Sequence, residues 1–416
     1  MPAAAGVLAA PVSAAPAVAT TPAPPVPSAR TAVLAIVALA LGGFAIGTTE
    51  FVTMGLLPDI ADGVDASIPS AGHLISAYAL GVVVGAPVIA ALGARLPRRP
   101  LAMALMTAFV VGNALSALAP GFVTLLLARF VAGLPHGAYF GVASLIAASL
   151  VPAGLRGRAV SSVMLGLAIA NLVGVPAATW LGQHLGWRSA YWAVVAIGAL
   201  TVLAVVLVVP SLPGRSEATI RSELGALRRP QVILTLLFGI VGFGGMFALY
   251  SYIAPLLTDV AGASEGFVPV ALLAFGAGMI VGTTLGGRLA DRALFRSLLG
   301  AVVAMGVFLL GVVAVAGRPA TLHVAVFLVA SASSVLAVCQ QLRLMEVAGD
   351  AQMLGAALNH SALNLANALG AWLGGVVIAA GYGYRAPSAV GAGLAALGLG
   401  FLAASALLRR REPTVG

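Results

Sequence analysis

The sequence predicts an all-α integral membrane protein, a bundle of twelve transmembrane helices. Three observations predict it. The 416 residues are 61% hydrophobic and 8% charged, with a mean hydropathy of +1.09, whereas a soluble domain carries about 25% charged residues. A surface with so few charges must face lipid, and one large soluble core fails because its outer shell would still be apolar. The apolar residues fall into runs of about 20, the length at which a helix crosses the hydrocarbon layer. The arginines fall mostly between those runs, as orientation by positive loops requires.

Taken in order, residues 1–30 are rich in Ala, Pro and Val, and prolines at 2, 11, 16, 22, 24, 25 and 27 prevent a continuous helix. No basic start precedes an apolar stretch, so a signal peptide is a poor reading; a disordered cytoplasmic extension is expected. The first span, 31–57, is apolar except for Glu50, and Asp59, Asp62 and Asp65 follow it. The second, 70–93, stops at Ala94-Arg95-Leu96, and the third, 101–119, starts after Arg98 and Arg99. The fourth, 122–150, carries Arg129. The fifth, 159–182, follows Arg156 and Arg158, and the sixth, 190–209, follows Arg188. Residues 211–230 are a polar linker with Arg215, Arg221, Arg228 and Arg229. The seventh span, 232–257, ends before Asp259 and Glu265; the eighth, 267–289, ends before Asp291 and Arg292. The ninth, 298–316, lies between Arg296 and Arg318. The tenth, 322–341, is followed by a loop over 343–352 that begins with Arg343. The eleventh, 355–381, precedes Arg385, and the twelfth, 387–408, precedes the tail 409–416 with Arg409, Arg410 and Arg411.

With the N-terminus inside, nearly all loop arginines lie on the cytoplasmic side, and only Arg188, Arg318 and Arg385 lie outside. The positive-inside rule then places both termini in the cytoplasm. The linker 211–230 separates two six-helix halves, 31–210 and 231–408. The halves read as repeats. Leu56-Leu57-Pro58-Asp59 is echoed by Leu256-Leu257-Thr258-Asp259, Ala94-Arg95-Leu96 by Gly287-Arg288-Leu289, and Asn171-x-x-Gly174 by Asn367-x-x-Gly370. Matches in one order and one orientation imply a duplicated half related by an axis along the membrane normal.

The formal charge is +9 and every basic residue is Arg. These arginines form no basic domain or stripe, so nucleic acid is not an expected partner. The single cysteine, Cys339, forms no intrachain disulfide or cysteine metal site and reads as a small buried hydrophobe. Without any lysine the chain has no phosphate loop of the G-x-x-x-x-G-K-[ST] kind, which removes the usual ATP-driven pump. No paired catalytic carboxylates, nucleophile elbow or metal-ligand spacing appears; an enzyme is not expected.

Several segments resemble the major facilitator superfamily, over essentially all the chain after Arg30, and most closely its twelve-span drug/proton antiporter branch. Gly287-Arg288-Leu289-Ala290-Asp291-Arg292 is similar to the family's loop signature after the second span of a half. Leu127-Ala128-Arg129-Phe130-Val131-Ala132-Gly133 resembles the fourth-span arginine motif, and Gly166 through Gly174-Val175-Pro176 to Gly182 the fifth-span antiporter signature. Gly47 through Glu50 to Pro58 is similar to the first span of a subgroup with sugar-efflux and chloramphenicol exporters. The resemblance implies a major facilitator fold, with two pseudo-symmetric halves, and a transporter in a bacterial cytoplasmic (inner) membrane. The chain departs from the pattern where Ala94 replaces the loop aspartate and Pro97 the glycine, and where the fifth span reads Gly-Val-Pro.

Glu50 is the most informative residue. It lies about 10 Å inside the outer end of its span, where a charged carboxylate must face a cavity or be protonated. Gly43, Gly47, Glu50, Met54 and Leu57 share its helical face, and the small residues permit close packing or room for a ligand. Glu50 is either a carboxylate that binds proton and substrate in alternation or a structural hydrogen-bonding group. Arg129, about 12 Å deep, either couples to Glu50, directly or through water, or bonds backbone carbonyls. His136, two turns along that face, is either a proton relay or a satisfied interior histidine. His360, Asn364 and Asn367 share a face of the eleventh span and serve helix packing or the substrate. Phe243, Phe247 and Tyr250 recur at i, i+4 and i+7 and form either an aromatic substrate wall or ordinary packing. Arg95, Gly174, Pro176, Gly287, Asp291 and Arg292 are the gating and structural positions that the resemblance marks; Asp291 with Arg288 and Arg292 forms a latch between the halves or a solvated loop.

The expected function is secondary active transport, proton-coupled efflux of small amphipathic drugs or metabolites by alternating access. The alternatives are a proton-independent facilitator or importer of a sugar or other metabolite, and a non-transporting sensor. Its partners would be a small-molecule substrate, protons and the bilayer, with the protein a monomer. No cofactor is expected, the proton gradient being the energy source.

Overall fold

The computed structural model describes residues 28–212, 219–264 and 267–411, and among these the chain is helical with no strand. Of the expected N-terminal extension, residues 1–27 lie outside the described residues, as do Arg215, Glu265 and residues 412–416.

Among the described residues, eleven helices are long and apolar enough to cross a membrane. The first half holds Ala29–Gly55, Ile68–Gly93, Arg98–Leu118, Phe122–Ser149, Ala153–Leu185 and Arg188–Val208. The second holds Pro230–Ser251, Val268–Val315, Pro319–Val347, Gln352–Val377 and Ala386–Arg411. Val268–Val315 counts as two. Its 48 residues would reach about 72 Å if straight, far beyond a hydrocarbon layer of about 30 Å. The backbone breaks at Ala293 (φ −160°, ψ 75°). Across the break the Ser297 hydroxyl donates to the Leu289 carbonyl at 3.0 Å, atoms about 12 Å apart along an unbroken helix. The chain doubles back there, giving an eighth and a ninth span and the expected twelve.

Local chemistry starts and stops these helices. Ser28 and Ser67 cap the first two spans by accepting from the N–H groups of Thr31 and Ser70. Proline occupies the first turn of the seventh, eighth and tenth spans, where a missing N–H leaves no hydrogen bond unmade. Between the first two spans the aspartate-rich segment forms a short helix, Leu57–Gly63. Within the linker Thr219 caps another, Ile220–Gly225.

One expectation requires correction. The tenth span does not end before Arg343; it continues to Val347, and Arg343 is buried in its last turns. Its guanidinium donates to Glu346 at 2.9 Å and to Gln231 of the seventh span at 3.1 Å, so Arg129 is not the only arginine inside a span. A polar side chain satisfied by neighbours lets a helix run on where charge alone suggests a loop. Of the two roles open to Gly43 and Gly47, the structure shows close packing. A Cβ on Gly43 would stand 3.0 Å from the Val163 carbonyl, and one on Gly47 2.8 Å from Ala170 Cβ. The fifth span answers with Gly166 against the Ala40 carbonyl and with a wide, π-type turn at Ala170–Gly174.

The two ends of the described chain, Ser28 and Arg411, lie on one face of the bundle, here termed the terminal face. The halves join there. One apolar core mixes Leu101, Ile146 and Val163 of the first half with Leu344, Met345 and Leu354 of the second. Toward the opposite face the cores separate: Val52, Leu56, Trp187 and Tyr191 pack within the first half, and Phe243, Leu309 and Val326 within the second.

Candidate functional site

Where the cores separate lies a cavity with about 920 Å³ of empty space, its open mouth included. It draws its walls from the first, fourth and fifth spans and from the seventh, eighth, tenth and eleventh. The seventh span contributes Phe243, Met246, Phe247 and Tyr250, as i, i+4, i+7 spacing dictates for one helical face. Tyr250 stands 4.6 Å, centroid to centroid, from Phe275 of the eighth span. Met164 and Met279 add flexible, polarizable surface. The polar groups are few and spread over the wall: Glu50, Asn171, Thr283, Ser333, Ser334, His360, Asn364 and Asn367, with the Tyr250 hydroxyl. Glu50 is the only carboxylate among the lining residues, and no arginine is among them.

Glu50 is half-buried, and among the described residues no hydrogen bond or ion pair within 4.0 Å reaches its carboxylate. Its neighbour Thr49 explains the arrangement. Successive helical residues point about 100° apart, so Glu50 faces the cavity while Thr49 faces the interior of the first half. Thr49 Oγ1 accepts from Arg129 Nη1 at 3.0 Å and donates to Asn113 Oδ1 at 2.5 Å. Arg129 Nη2 donates to the Thr49 carbonyl at 3.1 Å. The guanidinium is fully buried, with its Cζ 4.4 Å from the centroid of the Tyr78 ring and 5.6 Å from that of Tyr191, a cation–π sandwich that offsets lost hydration. Arg129 thus holds Thr49, the residue beside Glu50, and among the described residues makes no ion pair with Glu50 itself.

His136 stands behind the cavity wall. Its Nδ1 is hydrogen-bonded to the Tyr78 hydroxyl at 3.0 Å and its Nε2 to His360 Nδ1 at 3.1 Å. His360 lines the cavity and stacks on Phe140 at 4.2 Å. Asn364 also lines it and donates to its own helix at the His360 carbonyl. The eleventh-span polar face therefore meets the cavity as well as packing.

On the terminal face Asp291 closes the halves together. Its Oδ1 accepts from the Gly157 N–H at 2.6 Å and its Oδ2 from the Arg158 N–H at 3.2 Å, the first turn of the fifth span, where an anion is favoured. Arg158 Nε adds an ion pair at 3.5 Å. Gly157 and Gly287 permit this approach: a Cβ on Gly157 would stand 2.7 Å from the Gly287 carbonyl. Arg288 and Arg292 are exposed and take no part in the contact with Asp291. In the first-half loop, without the aspartate, Arg95 is exposed, and Arg98 lines a polar pocket with Glu223 and Asp350.

Of the marked residues, Glu50, Phe243, Phe247, Tyr250, Asn364 and Asn367 meet at the cavity. Met54 does not; it is 37% exposed and outside the lining, in the last turn of the first span, which ends at Gly55. Gly174 packs on Thr48 and Phe44, and Pro176 sits in the first turn after the wide segment. Sequence reasoning missed Tyr78, Phe140, Met164 and Met279, whose apolar surroundings carry no linear signal.

Against known proteins, residues 39–357 match the profile of the Major Facilitator Superfamily. The chain is 42% identical over 378 residues to the inner membrane transport protein YdhP of Escherichia coli K12, covering 91% of this chain and 96% of that protein. It is 36% identical over 339 residues to a chloramphenicol resistance protein of Streptomyces lividans, covering 80% and 86%. In fold it resembles the transporter FucP in its outward conformation, with a TM-score of 0.73 at 17% identity, over 90% of this chain and 99% of that one.

Proposed function

As this chain belongs to the major facilitator superfamily and is a multi-pass membrane transporter, not an enzyme, we propose that it exports small amphipathic molecules in exchange for protons. The observation that carries the proposal is Glu50, the one carboxylate in an aromatic and methionine-lined cavity, without a protein partner of its own. Such a group has two natural counterparts there, a proton or a polar or cationic part of a substrate, and the two exclude each other. The name of the Streptomyces relative supports efflux of drug-like molecules, and that of the Escherichia coli relative a bacterial inner membrane.

The arginine distribution makes the terminal face cytoplasmic, with both termini inside. The conformation is then outward-facing, closed by Asp291 and the mixed apolar core. In the cycle, Glu50 takes a proton from the outer water, the halves rock so that the cavity opens inward, and the proton leaves. The substrate then occupies the cavity against Glu50 and the aromatic wall of Phe243, Phe247 and Tyr250, with Asn364 and Asn367 available to its polar groups. Arg129 holds span one in place and sets the field in which Glu50 exchanges its partners. The proton gradient supplies the energy, no cofactor takes part, and a monomer suffices.

The test is flux in liposomes that contain a pH-sensitive dye, under an imposed pH gradient, with a panel of amphipathic drugs and sugars. Substrate-dependent proton movement in the wild type, lost in Glu50→Gln, is the expected result. Substrate flux without proton movement, unchanged in Glu50→Gln, would refute the coupling role and indicate a facilitator.

A further inference from the structure

One set of buried titratable groups is left unused by exchange at Glu50. Tyr78, His136 and His360 are 2%, 1% and 3% exposed. They form an unbroken string, Tyr78 hydroxyl to His136 Nδ1 and His136 Nε2 to His360 Nδ1. Tyr78 and His136 come from the second and fourth spans, and His360 from the eleventh, so the histidine pair bonds one half to the other at the cavity's inner end. The further end of the string, His360 Nε2, is buried without a partner, and His360 is the member that lines the cavity.

Ring nitrogens bond to each other only when one carries a proton and the other keeps a lone pair. The string therefore holds with both rings neutral, in either sense, and with one imidazolium donating to a neutral ring, but a single added proton leaves a full charge in the seam between the halves. A charge added while the halves are shut lies among apolar side chains without water. It also lies near Arg129, which packs on the Tyr78 ring. Once the fourth and eleventh spans part, incoming water hydrates it. The charged groups near the string are Arg129 on the fourth span, packed on the Tyr78 ring, and Glu50 on the first, which lines the same cavity as His360. The second span brings Tyr78 itself and the seventh Tyr250, while the residues that the fifth, eighth and tenth spans present to the cavity include no titratable group.

We propose that His136 and His360 are a second proton site of the transport cycle, at which a proton entering from the outward-open cavity through His360 places an imidazolium in the dry seam between the halves, which disfavours the shut state and releases the cytoplasmic side. This rests on the proton-coupled reading and adds a site to it. The proton comes from cavity water, is held as imidazolium, and leaves to cytoplasmic water; only N–H bonds are made and broken. The open state binds more protons than the shut state, so the shut-to-open ratio falls as pH falls.

The test measures the cytoplasmic opening without substrate. In a Cys339→Ala background, spin labels at Ser149→Cys and Arg296→Cys report the distance between the halves by pulsed electron paramagnetic resonance, in lipid nanodiscs from about pH 8 to about pH 5.5, where histidine titrates. The expected wild-type result is a shut-to-open ratio that falls with pH, by up to about tenfold per unit for one linked proton. The fall persists in Glu50→Gln and is flat in His360→Asn and in His136→Gln, two variants of which either suffices. A wild-type slope retained in a histidine variant, or lost in Glu50→Gln alone, overturns the proposal. A flat wild-type response with proton-coupled flux intact overturns this site and leaves Glu50 standing, whereas failure of Glu50 appears separately in the liposome flux.

Discussion

Replacing Asp291 by Asn should shift the balance between the two faces of the transporter without unfolding it. The Asp291 side chain is 6% exposed and accepts two backbone N–H groups at the start of the fifth span. Asparagine retains one acceptor oxygen, so it loses the negative charge and one of those bonds. Hydrogen bonds to a charged group contribute about 1.5–3 kcal/mol, and a charge at a helix N-terminus about 0.3–1 kcal/mol. The Arg158 side chain is 52% exposed, so its ion pair adds about 0–1 kcal/mol at most. A net loss of about 2–3 kcal/mol lowers the shut-to-open ratio by about 30- to 140-fold. The label pair at positions 149 and 296 measures that ratio directly, and Arg158→Gln should change it less than about fivefold. A shift below about threefold in Asp291→Asn, or an equal shift in Arg158→Gln, would refute the backbone-capping account.

Three other outcomes follow from the packing and the site. Arg129→Ala removes two hydrogen bonds to Thr49 and empties the space between Tyr78 and Tyr191; a stability loss of about 3 kcal/mol is expected by thermal unfolding in detergent, with a smaller loss for Thr49→Val. Gly166→Ala pushes a Cβ into the Ala40 carbonyl on the first span, whereas Gly72→Ala meets nothing within 4 Å. The first should lower stability by about 1–3 kcal/mol and the second should leave it unchanged; equal effects would contradict the close crossing of the first and fifth spans. Phe247→Ala should weaken binding of an apolar substrate about 10- to 100-fold, as removal of an aromatic contact of about 1.5–3 kcal/mol requires, while Leu34→Ala on the exposed face leaves it unchanged in equilibrium binding.

The twelve spans were legible because each is a run of apolar residues long enough to cross the bilayer, a property of local composition. Even the hairpin at Ala293 followed from the charged stretch 288–296 between two such runs. The fate of Arg343 was not legible, because its partner Gln231 is 112 positions away and Gln231 in turn accepts from Ser405, 174 positions from it, and a buried network looks like a loop until those positions meet. The cavity was partly legible: Glu50 and the aromatic face of the seventh span stand out against lipid-like surroundings. The histidine string was hidden for a geometric reason. Tyr78 and His136 are 58 residues apart and His136 and His360 224 apart, so each alone reads as an isolated polar residue on an apolar helix. Repetition between the halves gave no help, since these three positions do not repeat.

The opposed directions of Thr49 and Glu50 have a mechanical consequence. A screw motion of the first span about its own axis would be one way to hide and expose Glu50. With Thr49 held by two contacts to Arg129 and one to Asn113, and with Gly43 and Gly47 seated against the fifth span, that helix has no free axle on which to turn. Glu50 therefore rides as a fixed tooth on a rigid plate, and its exposure to one side or the other is set by how the whole plate tilts. A carboxylate mounted in this way reports the position of 180 residues at once, which ties the chemistry at one atom to the movement of a half-molecule without any moving part between them.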